Sequence, residues 1–252
     1  HFALKVNTAA NNTAVGFSAL GANTTGTANT AIGKSALGAN TTASCNTAVG
    51  TASLANTTTG CENTAVGQQS LSTNTTGNFN TALGRGALIL STTSSENTAA
   101  GYYSLGANTT GGGNTALGYF PLYANTTGAS NVAVGKSALA ANTTAGGNTA
   151  VGFEALDANT TGYSNQALGC GALGANTTGH SNTGIGESAL LVNTEGFKNI
   201  AVGNNTLDSN TTGDYNVAVG HLALGANTTA NSNVAIGTES LDVNTTGADN
   251  TA

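Results

Sequence analysis

The sequence predicts an all-β protein, a parallel β-solenoid or β-roll of fourteen 17-residue coils. Three observations favour this class. The chain repeats every 17 residues, Thr, Val and Ile precede a Gly in each repeat, and no window of about 10 residues lacks a Gly, Asn or Thr that would interrupt a helix. Seventeen residues can hold two short strands and two turns but not a helical hairpin. Coils stacked by parallel pairing would extend on the order of 65 Å.

The repeat begins with the motif Asn-Thr-Ala-Val-Gly, whose Asn we number repeat position 1. This Asn recurs every 17 residues from Asn12 to Asn250. Residues 12–249 therefore hold fourteen complete repeats without insertion or deletion, residues 1–11 a partial repeat, and residues 250–252 the start of a further one. No internal domain boundary is predicted. Because no polar capping repeat is visible, we expect the array to continue beyond this segment.

Composition excludes several classes of protein. Only 6% of the 252 residues are charged and 5% aromatic, so there are too few large side chains for one three-dimensional core. The net charge of −6 and the lack of a basic cluster argue against nucleic-acid partners. No stretch approaches the roughly 20 apolar residues of a membrane span, and no initiating Met or signal peptide begins the segment.

Two repeat positions are predicted to face the interior. Position 9 is Leu in every repeat, and position 4 is aliphatic, as in Val15 and Ile32. Ala at position 3 and Gly at position 5 are expected to form a flat opposite face. One Leu and one Val per coil bury too little apolar area to offset the entropy of ordering 17 residues. We therefore expect the Ala/Gly face to pack on other copies, most simply as a homotrimer.

Asn and Thr rows mark the turns. The Asn at position 1 is expected to form a structural ladder of stacked amides. Position 12 opens Asn-Thr-Thr, an acceptor for N-linked glycans, so a glycan row along one edge is predicted. Asn56 provides an acceptor one residue early, and Asn11 and Asn204 match out of register. The predicted acceptors are Asn23, Asn40, Asn56, Asn74, Asn108, Asn125, Asn142, Asn159, Asn176, Asn210, Asn227 and Asn244.

Two of the three cysteines are predicted to form a disulfide. Cys45 at position 17 and Cys61 at position 16 of the next repeat should be stacked neighbours about 6 Å apart at Cα. Such a bridge would suit an oxidising, extracellular setting. Cys170 has no counterpart.

No catalytic, metal or cofactor site is predicted. His1, His180 and His221 fall at unrelated repeat positions without a repeated ligand spacing, and no nucleophile and base share a coil face. The aromatic residues sit at repeat positions 6, 7, 10, 16 and 17, which vary between repeats. These positions are expected to form an exposed variable surface.

The run Asn-Thr-Ala-Val-Gly-x-x-Ala-Leu, seen at 12–20, 29–37 and 148–156, resembles the head repeats of trimeric autotransporter adhesins. It also resembles the Asn/Thr/Gly-rich repeats of phage tail-fibre-like and cell-surface fibre proteins. The resemblance covers essentially the whole chain. It implies a trimeric, left-handed parallel β-roll with a fibrous, surface-exposed, adhesive role.

The sequence therefore predicts a non-enzymatic structural component of an extracellular or cell-surface fibre or adhesin rod. It would self-assemble and display a variable, glycosylated surface. One alternative is a receptor-binding tail-fibre or adhesin head. Another is an ice-binding solenoid, for which the adjacent Thr residues at positions 13 and 14 would supply a single outward row.

Overall fold

A computed structural model describes residues 3–252. The described chain contains fourteen three-residue parallel strands and no helix, which confirms the predicted all-β solenoid. It divides into two compact units, His1–Ala129 and Ser130–Ala252. The 17-residue repeat passes this boundary without interruption, so nothing in the sequence pattern marks it.

Each repeat contributes one strand, formed by positions 2 to 4. Within each unit, every strand pairs with the strand of the next repeat in parallel and in register, so that Ala48 in one strand faces Ala65 in the next. The first unit contains β1 (Thr13–Val15), β2 (Thr30–Ile32), β3 (Thr47–Val49), β4 (Thr64–Val66), β5 (Thr81–Leu83), β6 (Thr98–Ala100) and β7 (Thr115–Leu117). The second contains β8 (Val132–Val134), β9 (Thr149–Val151), β10 (Gln166–Leu168), β11 (Thr183–Ile185), β12 (Ile200–Val202), β13 (Val217–Val219) and β14 (Val234–Ile236).

The prediction of which strand side chains face the interior is wrong: position 3 faces the interior and position 4 faces outward. The central residue is buried in thirteen of the fourteen strands, and Ala14 in β1 is half-buried. The aliphatic residue at position 4 faces outward, with Val15 58% and Leu168 54% exposed. The reason is space: a Cβ at Gly184 would already lie 3.4 Å from Leu173 Cγ. The gap opposite the Leu row holds a methyl group, so Ala packs inside and the larger Val or Ile stays outside.

Leu at position 9 forms the core with the small residue at position 3 and with Ala or another small residue at position 8. Thirteen of the fourteen Leu side chains are fully buried, from Leu20 to Leu224, which confirms this half of the predicted interior. All fourteen adopt a left-handed backbone, with φ between 48° and 55°. That conformation costs about 1–2 kcal/mol for a side chain with a Cβ. Burying a Leu contributes about 1.5–3 kcal/mol, which offsets the cost, whereas Gly would leave a cavity.

Gly at position 5 ends each strand at a close approach of successive coils. Its φ lies between +121° and +142°, a region that side chains avoid. A Cβ added to Gly186 would lie 2.4 Å from the carbonyl oxygen of Gly203 in the next coil. Gly therefore serves the stacking of coils within a unit, and the proposed flat Ala/Gly outer face does not exist.

Candidate functional surface

The position 1 Asn residues form the predicted ladder in the interior. Asn182 Nδ2 donates a hydrogen bond to the Gly196 carbonyl across its own coil at 2.8 Å. Its Oδ1 accepts from the backbone N–H of Asn199 in the next coil at 3.0 Å. Each amide therefore closes one coil and links it to the following one. The left-handed turn itself falls at position 17, as at Ser181 (φ 58°), rather than at the Asn.

A second buried ladder runs through the position 12 Asn residues. Asn176 Nδ2 donates to the Gly179 carbonyl at 2.9 Å and to Asn159 Oδ1 of the previous coil at 2.8 Å. Asn165 Nδ2 donates to the same Gly179 carbonyl at 2.8 Å. The two ladders thus converge on the position 15 carbonyl, which explains why both Asn types recur.

This second ladder contradicts most of the predicted glycan row. A side chain whose Nδ2 is enclosed and hydrogen-bonded has no room for a sugar. The prediction is wrong for the ten fully buried acceptors, which are Asn23, Asn40, Asn74, Asn108, Asn125, Asn142, Asn159, Asn176, Asn210 and Asn227. Asn244 is half-buried and bonded to Gly247. Asn56 is exposed, because its repeat places Thr57 at the buried position instead. Asn56 and Asn244 remain predictions.

We expect folded protein secreted from a glycosylating eukaryotic host to carry a glycan at Asn56 and none at Asn176. Peptide mapping after enzymatic deglycosylation reads each site. Asn56→Gln should remove that glycan without changing thermal unfolding, since the side chain is exposed. Glycan occupancy at Asn176 in folded, soluble material would contradict the buried ladder.

Thr57 interrupts the position 12 ladder in the third complete repeat. The Oδ1 of Asn40 in the preceding coil is fully buried and has no hydrogen-bond partner. An Asn at position 57 would place an amide donor next to this oxygen, as Asn176 does for Asn159. Asn40 Oδ1 is thus one of two buried amide oxygens without a partner in the described part of this ladder, the other being Asn227 Oδ1, and it is the defect that coincides with a missing Asn.

Repairing that defect should stabilise the first unit. We expect the double variant Asn56→Ala/Thr57→Asn, which restores the repeat consensus, to raise the free energy of unfolding by about 1 kcal/mol. Chemical denaturation measures the change. Asn56→Ala alone is the control and should have a much smaller effect, because Asn56 is exposed. Equal stability of the single and double variants would show that Asn40 is already satisfied.

The Thr residues at position 13 form hydrogen bonds between successive coils. Thr177 Oγ1 donates to the Thr194 carbonyl at 3.1 Å, and the Thr177 N–H donates to the same oxygen at 2.9 Å. The same Oγ1-to-carbonyl bond joins Thr160 to Thr177. These hydroxyl protons are committed to protein carbonyls, whereas the Thr residues at position 14, such as Thr42 and Thr178, are exposed. The single outward row of the ice-binding alternative is therefore the one at position 14, and that alternative stays a prediction.

The predicted disulfide is absent, and Cys45, Cys61 and Cys170 are free thiols. Residues at the same repeat position lie next to each other in successive coils. The Cys61 N–H donates to Asn78 Oδ1 of the next coil at 2.8 Å, which is the same position. Cys61 Sγ lies 3.3 Å from the Thr59 carbonyl oxygen instead of bonding to Cys45. Cys45 sits one position later, in a left-handed turn (φ 61°), so the two cysteines do not share one ladder.

The outward side chains at positions 2 and 4 form what we call the exposed strand face of each unit. In the first unit, position 2 is Thr in all seven strands, and position 4 is aliphatic. The second unit carries Val, Ile or Thr at most of these positions, with Gln166 as the one amide. None of the five Lys and Arg or eleven Asp and Glu residues lies on this face. The face is uncharged and rich in β-branched side chains.

The charged residues lie mainly at the variable positions. Desolvation by partial burial raises the pKa of Asp157 and Asp208, both at position 10, and the carboxylate of Glu154 raises that of Asp157 further. A raised pKa means that the folded state binds the proton more tightly. Protonation therefore contributes stability at low pH, and this contribution is lost as pH rises through the folded-state pKa.

Asp157→Asn/Asp208→Asn should accordingly be more stable than the parent at pH 7, because it removes two partly desolvated charges. At about pH 3, below the ordinary Asp pKa of 3.8, the two proteins should approach each other, since carboxyls with a raised pKa are then largely protonated. Thermal unfolding at both pH values measures the difference. A variant less stable than the parent at pH 7 would contradict the sign of the effect.

Aromatic side chains collect in two places on the variable surface. In the first unit, the aromatic cluster consists of Tyr102, Tyr103, Tyr119, Phe120 and Tyr123, at positions 6, 7 and 10 of two successive repeats. In the second unit, Tyr163, His180 and Phe197 stack at position 16 with centroid spacings of 4.7 and 5.0 Å. Stacking at the coil spacing explains why residues 17 apart in the chain meet.

The described residues 3–252 contain no cavity for a small ligand and no group of three His, Cys, Asp or Glu side chains placed to hold a metal ion. Within the same range, no helix could cross a membrane. The surfaces available for function are therefore the exposed strand face, the Thr row at position 14 and the variable positions. Sequence reasoning missed the strand face because it assigned Val to the interior. Ala at the centre of every strand but β11 was the signal that could have located it.

Comparison with known proteins adds no relative. Neither the scan of protein-family models nor the search of curated proteins gave a match to this chain.

Proposed function

We propose that this chain is a non-enzymatic structural component of an extracellular or cell-surface fibre or adhesin rod, which self-associates through the exposed strand face. The observation that carries the proposal is the absence of charge at positions 2 and 4 of all fourteen strands. The variable positions hold most of the charged residues. The lack of charge on the strand face is therefore not explained by the low charge content of the chain alone. Uncharged, β-branched sheet surfaces are the kind that pack face to face at about 10 Å.

The energetic need for a partner also supports self-association. The apolar interior of each coil is little more than a Leu and two Ala or similar small side chains, beside the two buried polar ladders. Covering the half-exposed aliphatic row would add about 25 cal/mol for each Å² removed from water. A symmetric assembly, most simply a homotrimer, would cover this row on every copy. The extracellular setting rests on the resemblance of the repeats to surface fibres.

Charge placed on the strand face tests the proposal. Val66→Lys/Leu83→Lys should convert a self-associated parent into a 24.3 kDa monomer with an unchanged circular dichroism spectrum. Gln68→Lys is the matched control, because Lys34 and Lys136 occupy the same repeat position naturally. Sedimentation velocity at micromolar concentration reads the mass. A monomeric parent, or a double variant that stays associated, would refute the proposed interface.

A further inference from the structure

We propose that the aromatic cluster of the first unit binds a carbohydrate chain of β-linked, gluco-configured pyranoses. This inference goes beyond the proposed function, because it uses a different surface from the exposed strand face. It therefore stands or falls independently of self-association.

The cluster is a pre-organised set of rings. Tyr102 and Tyr119 stack at a centroid distance of 5.4 Å with an interplanar angle of 9°. Phe120 meets Tyr119 and Tyr123 edge to face, at 4.5 and 5.0 Å. Each ring is held by at least two others, so binding would order few side chains. A ligand that contacts these rings avoids much of the entropic cost of immobilising them.

The outer part of the cluster is accessible. Tyr102, Tyr119 and Tyr123 are 37%, 49% and 43% exposed. Given the size of tyrosine, these fractions leave about 300 Å² exposed on the three residues together. A stable protein partner needs roughly 800 Å² from each side, so the patch is too small to be a protein interface by itself. It matches the smaller footprint of a short oligosaccharide.

The chemistry of the patch is amphipathic in the way a sugar requires. The axial C–H bonds of a gluco-configured pyranose form an apolar face that packs on aromatic carbon, and its equatorial hydroxyls project around the rim. Tyrosine supplies an apolar body and a hydroxyl that both donates and accepts hydrogen bonds. The Arg85 guanidinium, whose carbon lies 5.9 Å from the Tyr102 ring centroid, adds donors at the edge of the patch.

Two other ligand types fit less well. A nucleic-acid strand would stack its bases on such rings, but it also needs a track of positive charge along the backbone. The first unit has only three Lys or Arg residues, Lys5, Lys34 and Arg85, in its sequence. A compact small molecule would need a concave pocket, and none is present in the described residues. An extended neutral chain lying along the surface needs neither a track of positive charge nor a concave pocket.

Repeat position 6 offers variants that keep the coil intact. Thr51 occupies this position in the third complete repeat, so Tyr102→Thr/Tyr119→Thr replaces both rings with a residue that the fold already accepts. Phe153→Thr is the matched control, since Phe153 lies at position 6 in the second unit and is 44% exposed. Thermal unfolding of all three proteins checks that the coils remain folded.

Saturation-transfer NMR of the full chain with cellohexaose tests the inference. We expect transfer to the sugar C–H protons with a Kd on the order of 1 mM, as for two or three ring contacts. Binding should weaken at least fivefold in Tyr102→Thr/Tyr119→Thr and stay unchanged in Phe153→Thr. The same signal is expected from the Val66→Lys/Leu83→Lys variant, which separates this test from self-association. No transfer in the parent, equal binding by the double Thr variant, or tighter binding of a dodecamer of thymidylate would overturn the proposal.

Discussion

Gly186→Ala should lower the free energy of unfolding of the second unit by about 3 kcal/mol or more. Gly186 has φ +129°, and an added Cβ would lie 2.4 Å from the Gly203 carbonyl oxygen and 2.5 Å from its carbonyl carbon. Both contacts are with backbone, which cannot rotate away as a side chain could. The coil must shift or the strand pairing must open. Urea denaturation followed by circular dichroism measures the loss.

Gly225→Ala is the matched control for this prediction. The residue is also a Gly of the second unit, but it lies at position 10, which Ala140 occupies in another repeat. An added Cβ there would approach only the Leu222 carbonyl oxygen, at 3.2 Å, among backbone atoms. We expect a change within about 0.5 kcal/mol. Equal losses in the two variants would mean that coil stacking at position 5 is not the constraint.

Asn182→Ala should lower the free energy of unfolding by about 2–4 kcal/mol. The side chain is fully buried. Its removal leaves the Asn199 N–H without the acceptor it has at 3.0 Å and takes one of two amide donors from the Gly196 carbonyl. Water cannot readily replace these partners in the interior. The ladder is interrupted on both sides of one coil.

Asn182→Asp sharpens this test. The carboxylate keeps an acceptor for the Asn199 N–H but places a buried negative charge against the Gly196 carbonyl. We expect it to be less stable than Asn182→Ala at pH 7 and to recover as pH falls, when the protonated acid can donate to that carbonyl. Asn204→Ala, at an exposed position, should cost much less. A loss of less than about 1 kcal/mol for Asn182→Ala would show that the ladder is dispensable.

The repeat made the fold predictable because every coil has the same sequence pattern. The 17-residue period, the Gly after each strand and the invariant Leu at position 9 were enough to predict a parallel solenoid and half of its interior. Unbroken recurrence also identified the Asn ladder at position 1. These features follow from stacking alone, since whatever a coil requires, each of its neighbours requires as well.

The inside and outside of the strand could not be assigned by hydrophobicity. Val15 is more apolar than Ala14, yet the narrow space beside the Leu row admits only a methyl group. The same lack of depth information made Asn176 look like an exposed glycan acceptor, although its amide is fully enclosed. Cys45 and Cys61 were paired because they lie in successive coils one repeat position apart, but both are free thiols, and the stacked partner of each residue is at its own repeat position. Each error arose where side-chain size or direction, not periodicity, decides the outcome.

Thiol reactivity at two adjacent positions tests the central claim most directly. In a background of Cys45→Ser, Cys61→Ser and Cys170→Ser, a single cysteine is placed either by Ala65→Cys, at a fully buried site, or by Val66→Cys, at a site that is 38% exposed. We predict that Ala65→Cys is unreactive at every protein concentration. Val66→Cys should react readily in dilute solution and become protected as self-association covers the strand face. Reaction of Ala65→Cys in the folded protein, or a Val66→Cys rate independent of concentration, would contradict the account.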